Sequence, residues 1–156
     1  MARVPEAAVH QGRLQLPQAA KAVAPRAVFG DGVFDAEVTV GERGDAGLLF
    51  RVSEPSIGTD HYRGYYVGLS AERRAVVLGK ADNAWFPLAN RPCAVQAGTV
   101  HRVRVEVRGT HIRVQVDDMK TPVLEAEDAS FSTGALGVRS YSNKSAFAAL
   151  SARAAG

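Results

Sequence analysis

Cysteine is almost absent from this chain. Cys93 is the single one among 156 residues, which excludes an internal disulfide and a multi-cysteine zinc site. Flanked by Pro92 and Ala94, its thiol is expected to pack as a small residue rather than attack a substrate. Long apolar runs are missing too, so no segment has the length and apolarity of a membrane-spanning helix, and no membrane partner is expected. The opening residues, MARVPEAAVHQGRLQLP, contain no continuous apolar core of a secretory signal, so any export signal is expected to lie outside this chain. No G-x-S-x-G elbow, EF-hand loop or paired-histidine spacing occurs. Nucleophilic catalysis and a histidine-built metal site therefore find no support. A structural calcium between loops stays open, because Asp31, Asp45 and Asp128 all fall in expected turns.

What is present is strand pattern. Apolar and polar residues alternate with period two, no helical stripe is sustained, and turn residues recur at intervals that suit many short strands. The expected fold is all-β, an antiparallel two-sheet β-sandwich of jelly-roll type, forming one domain with its core at about residues 12–152. Phe34, Ala36, Val38 and Val40 mark the buried face of one strand. In the next, Leu48, Phe50 and Val52 share the core face, opposite Gly47, Leu49 and Arg51. Tyr65, Val67 and Leu69 face the core, with Tyr66, Gly68 and Ser70 opposite; Leu136 and Val138 do the same against Gly137, Arg139 and Tyr141.

The net charge is +3, with arginine supplying fifteen of the nineteen basic residues. Several fall in the hairpin His101 to Asp117, where Gly109-Thr110 fits a two-residue type II′ turn. That turn sets Val107 opposite Ile112, Val105 opposite Val114 and Val103 opposite Val116 on the buried side. Glu106 then faces Arg113, Arg104 faces Gln115, and Arg102 faces Asp117 on the outer side. Paired charges without neighbouring aromatics describe a solvated face, not a nucleic-acid surface, and no nucleic-acid partner is expected.

Candidate chemistry gathers between Gly58 and Trp85, which holds three of the four tyrosines and the lone tryptophan. Two strands, Tyr65 to Ser70 and Ala75 to Lys80, are flanked by loops carrying Asp60 and Asp82-Asn83. Sugar recognition needs an apolar face for the C–H side of a ring and a few fixed polar groups for its hydroxyls. The expected ligand-binding set is Arg51, Asp60, Tyr66, Lys80, Asp82, Asn83, Trp85, Arg139 and Tyr141, with no catalytic residue among them. The competing reading is that these rings belong to the core or merely cover it. The E-x-D-x-x-E motif of sandwich glucanases is not matched by Glu125-Ala-Glu127-Asp128-Ala-Ser130. Asp60 and Asp82 remain the alternative acid–base pair of a glycoside hydrolase or lyase.

The segments AGLLFRVS, GTDHYRGYYVGLS, VVLGKADNAWFPL, HRVRVEVRGTHIRVQVDD and GALGVRSY occur in this order. Together, over about Gly30 to Leu150, the chain resembles a concanavalin A-like (laminin G-like) β-sandwich module attached to bacterial glycoside hydrolases. It is most similar to the levan- or fructan-binding type. The resemblance implies a non-catalytic domain without a cofactor that grips the terminal sugar of a polysaccharide or oligosaccharide. It would hold an appended catalytic domain near that substrate, outside the cell or on its surface, as part of a larger exported protein. The closing FAALSARA departs from the family's F-D-N type ending, with Ala148 and Ala149 in place of its polar pair. A laminin G-like protein-interaction domain is the further alternative.

Overall fold

A computed structural model describes residues 2–3, 8–10, 13–16, 20–53, 63–82, 84–141 and 145–154, with side chains from Lys21 onward. The strands in chain order are β1 (Ala2–Arg3), β2 (Ala8–His10), β3 (Arg13–Leu16), β4 (Ala20–Phe29), β5 (Gly32–Thr39), β6 (Asp45–Ser53) and β7 (Arg63–Ser70). They continue as β8 (Ala75–Asp82), β9 (Trp85–Pro92), β10 (Val100–Arg108), β11 (His111–Val116), β12 (Leu124–Glu127), β13 (Gly134–Tyr141) and β14 (Ser145–Ala154). Among the described residues there is no helix.

Two seven-stranded sheets result, one ordered β1-β4-β13-β6-β7-β8-β9 and the other β12-β11-β10-β5-β14-β3-β2. The fold is the expected antiparallel β-sandwich. Phe50, Tyr65, Val67 and Leu78 of the first sheet pack against Phe34, Val38, Val105 and Ile112 of the second. Each is 3% exposed or less, so these side chains form a core shared by the two sheets.

The hairpin β10–β11 has the register its turn dictates: Val107 pairs with Ile112, Val105 with Val114 and Val103 with Val116. Gly109 at φ 59° supplies the conformation the tight turn needs. Outside, Glu106 lies 3.9 Å from Arg113. Asp117 departs from expectation: it accepts the Arg102 backbone N–H and pairs with His101 at 2.8 Å, instead of meeting the Arg102 guanidinium. Arg104 finds Asp35 on β5, at 2.6 Å.

The opposite face of the first sheet carries a second apolar cluster of Val23, Leu49, Val52, Tyr66, Val77, Ala81 and Ala135, with Trp85 against it. Val52 therefore lies on the other side from Leu48 and Phe50, contrary to its simple alternation. The cause is Arg51, whose φ of 52° adds a residue to β6 where its pairing with β7 shifts register. A left-handed residue inside a strand makes a bulge, and side chains beyond it swap faces.

Candidate functional site

Tyr66 lies on the outer face of β7 and is 1% exposed. Its ring covers Gly68, two residues along the same strand, so closely that any Cβ there would collide with it. Trp85 lies over Gly79 of the adjacent strand in the same way. The glycines thus seat the protein's own rings flat on the sheet, and the space beside Gly68 is filled by Tyr66. The two rings meet edge to face, with centroids 5.8 Å apart and planes at 71°.

Arg139, on β13, covers this pair. Its guanidinium carbon is 4.3 Å from the Tyr66 ring centroid, 5.2 Å from that of Trp85 and 5.7 Å from that of Tyr141. Such a stack fixes a long flexible side chain, at about 0.5–2 kcal/mol per contact. Below it, the Tyr66 hydroxyl donates to Asp45 Oδ1 at 2.5 Å. Asp45 opens β6 opposite Tyr141 and is itself buried, so its carboxylate is oriented before any ligand arrives.

Together these groups floor a depression of about 380 Å³. Asp45 and Arg139 are buried at its base, Trp85 and Asn90 stand on the β9 side, Tyr141 on the β13 side, and Arg73 at the β7–β8 turn. Trp85 and Tyr141 keep exposed surface, and Tyr141 is 43% exposed. The size falls within the range of roughly 300–1,000 Å³ usual for small-molecule sites. A second groove of about 240 Å³, whose lining includes Ala22, Phe34, Leu48, Leu136, Val138 and Leu150, is almost wholly apolar and gives hydroxyl groups little to bond to.

The expected site residues divide three ways. Tyr66, Trp85, Arg139 and Tyr141 come together as described, although Tyr66 is too covered to stack against a ligand and acts as a base layer. Asp60 and Asn83 lie outside the described residues. Arg51, Lys80 and Asp82 are elsewhere. The bulge turns Arg51 away from the outer face, and its guanidinium donates to the Gly30, Gly109 and Phe131 carbonyls at 2.8–3.2 Å and to Asp31 at 3.3 Å. Burial pulls its pKa down, while Asp31 and Tyr65 favour its charge.

Lys80 points to the core side of β8 and bonds Asp128 at 3.0 Å and Ser130 at 2.5 Å. Asp82 pairs with Arg63 at 3.0 Å and is exposed. All three tie strands and loops at the rim of the sandwich. The Tyr65 hydroxyl joins them by donating to Asp128 at 2.7 Å. Burial first, then that carboxylate, raises the Tyr65 pKa to about 12. For Asp128 burial is the largest single influence and acts upward, but donors from Ser130, Tyr65 and Lys80 outweigh it and hold the carboxyl well below its usual range.

Asp45, Arg73 and Asn90 were missed by the sequence reading. Asp45 carried a signal, since it alternates with Gly47 and Leu49 on the outer face; Arg73 and Asn90 carried none. Asp31, Asp45 and Asp128 occupy separate places and each accepts hydrogen bonds from protein donors. Among the described residues no group of three or more His, Cys, Asp or Glu is arranged to hold a metal ion.

A family model described as the 3-keto-alpha-glucoside-1,2-lyase-like domain matches residues 3–152. The chain belongs to that family. Among curated proteins, a levanase of Bacillus sp. (strain L7) is 28% identical over 122 residues, covering 77% of this chain and 13% of the levanase. This member of the family therefore spans about an eighth of that relative's length. Among solved structures, the carbohydrate binding module CBM66 from Bacillus subtilis superposes with a TM-score of 0.78 at 19% identity, over 91% of this chain and 86% of the other. The VIP36 exoplasmic/lumenal domain, in a Ca2+/Man3GlcNAc-bound form, has a TM-score of 0.76 at 12% identity, over 99% and 83%. At these identities the two structures share the fold.

Proposed function

We propose that this domain is a non-catalytic carbohydrate-binding module that uses the outer face of the β13-β6-β7-β8-β9 sheet. One observation carries the reading: Asp45 and Arg139, both buried and prearranged, lie between the partly exposed rings of Trp85 and Tyr141. A carboxylate accepts two vicinal hydroxyls, a guanidinium donates to ring or hydroxyl oxygens, and an aromatic wall takes the C–H side of a sugar. Fructan, levan above all, is the leading ligand, supported by the 28% identity to a levanase and the CBM66 fold. The module would hold an attached glycoside hydrolase on an extracellular polysaccharide. Affinity for one such shallow site is expected at about −4 to −8 kcal/mol.

A lyase or hydrolase reading is favoured by the family's description. Two carboxyl groups about 5–10 Å apart are what a typical glycosidase uses. Among the described residues lining the depression Asp45 is the one carboxylate, and Asp82 is held by Arg63. Calorimetric titration against levan, inulin, arabinan and galactan tests the binding reading. Saturable binding without product release supports it. Failure of the folded domain to bind any of the four, or release of product that an Asp45→Asn variant loses, overturns it.

A further inference from the structure

The polar groups lining the depression include Asp45 from β6 and Arg73 from the turn between β7 and β8. Each follows directly on a residue of one hydrogen bond. The Gly44 backbone N–H donates to the Glu72 carboxylate, 3.0 Å away and 28 residues along the chain. Gly44 precedes Asp45, and Glu72 precedes Arg73. Gly44 sits at φ 69°, a conformation open to glycine that sets the direction of its N–H and of the chain entering β6. On the other side, the Arg73 backbone N–H donates to Ser70 Oγ at 3.1 Å, which closes the turn around Glu72.

We infer that Glu72 is a positioning residue for the ligand site, its carboxylate clamping the β5–β6 turn to the β7–β8 turn so that Asp45 and Arg73 stand at a fixed separation. The inference rests on the outer-face depression being the glycan site. Both turns are short surface connections that lie just beyond the last β6–β7 pair, Ala46 with Leu69, where the ladder no longer holds them to each other. A clamp on turns removes the freedom a ligand would otherwise have to freeze, which raises affinity without any contact to the ligand. The Glu72 carboxylate bonds the Gly44 N–H rather than the side chain of Asp45 or Arg73, so its effect passes through the backbone.

Two substitutions separate the clamp from the charge. Glu72→Ala removes the acceptor, and Glu72→Gln keeps an acceptor oxygen while losing the charge. Without ligand, amide hydrogen exchange at Gly44 and Asp45 is expected to speed up at least about tenfold in Glu72→Ala and to stay near native in Glu72→Gln. In titration with levan oligosaccharide, Glu72→Ala is expected to bind about tenfold more weakly, the scale of one lost charge-assisted hydrogen bond, with Glu72→Gln restoring most of it. The unfolding midpoint should fall in Glu72→Ala by no more than one lost hydrogen bond accounts for, and by less in Glu72→Gln. Native exchange and native affinity in Glu72→Ala overturn the inference, as does a Glu72→Gln variant as weak as the alanine. If the native domain binds no glycan, the ligand reading fails, and the exchange measurement still decides the clamp.

Discussion

Tyr65 and Tyr66 are neighbours in one strand, both almost fully buried and both hydrogen-bonded to an aspartate, yet they serve different parts of the molecule. Tyr65 points between the sheets, where its ring stacks on Phe50 at 5.3 Å and its hydroxyl reaches Asp128. There it joins Lys80, Ser130 and the Arg51 cluster in fastening the β12–β13 loop to the sandwich. Tyr66 points outward, where its ring lies on Gly68 and its hydroxyl orients Asp45 beneath Arg139. One residue of strand period separates a structural latch from a ligand floor. The lesson is that an aromatic–carboxylate pair has no meaning in the sequence until its face is known.

The largest effect is expected from Arg51→Ala. It strips donors from three backbone carbonyls at once, and stability should fall by about 3–5 kcal/mol in urea unfolding. Glycan affinity of the folded fraction should stay within about twofold; a larger loss would join the latch to the site. Trp85→Ala comes next. Removing the partly exposed wall should weaken glycan binding by about tenfold or more, with only about 1–2 kcal/mol lost from stability.

Smaller still are the paired variants Tyr65→Phe and Tyr66→Phe. Each removes one buried hydroxyl and should cost about 1–2 kcal/mol of stability. Only Tyr66→Phe should weaken glycan binding, by about threefold to tenfold, because Asp45 then loses its orienting donor. Equal binding by the two would erase the distinction.

The latch also predicts a pH dependence. Asp128 is held below its ordinary value of 3.8, so the folded state binds fewer protons than the unfolded one, and its stabilisation is present above about pH 4 and fades as pH falls below it. Tyr65 is raised from 10.0 to about 12, so its contribution is complete below about pH 10 and lost as pH rises toward 12. Asp128→Asn should flatten the acid limb of a stability–pH curve and Tyr65→Phe the alkaline limb. Unchanged limbs would show that these groups are not what the latch depends on.

The fold was readable because period-two alternation and one glycine turn are local signals, and the β10–β11 register followed from Gly109 alone. The faces of Tyr65, Tyr66, Arg139 and Tyr141 were readable for the same reason. Arg51 was not, since a left-handed non-glycine residue inside a strand leaves no mark in composition, and it displaces Arg51 itself and Val52 from their expected faces. Lys80 was misplaced although alternation with Val76 and Leu78 puts it on the core side, because its partners Asp128 and Ser130 lie in a loop some fifty residues away. Arg73 and Asn90 join the site through sheet order, which places β9 and the β7–β8 turn at one end of the depression.

Amide and indole chemical-shift mapping with saturating levan oligosaccharide tests most directly which of the two regions meets the ligand. Shifts are expected at Asp45, Arg139, Tyr141 and the Trp85 indole, with Lys80, Asp128 and Ser130 unmoved. Shifts confined to Lys80, Asp128 and Ser130, or none anywhere, would contradict that expectation.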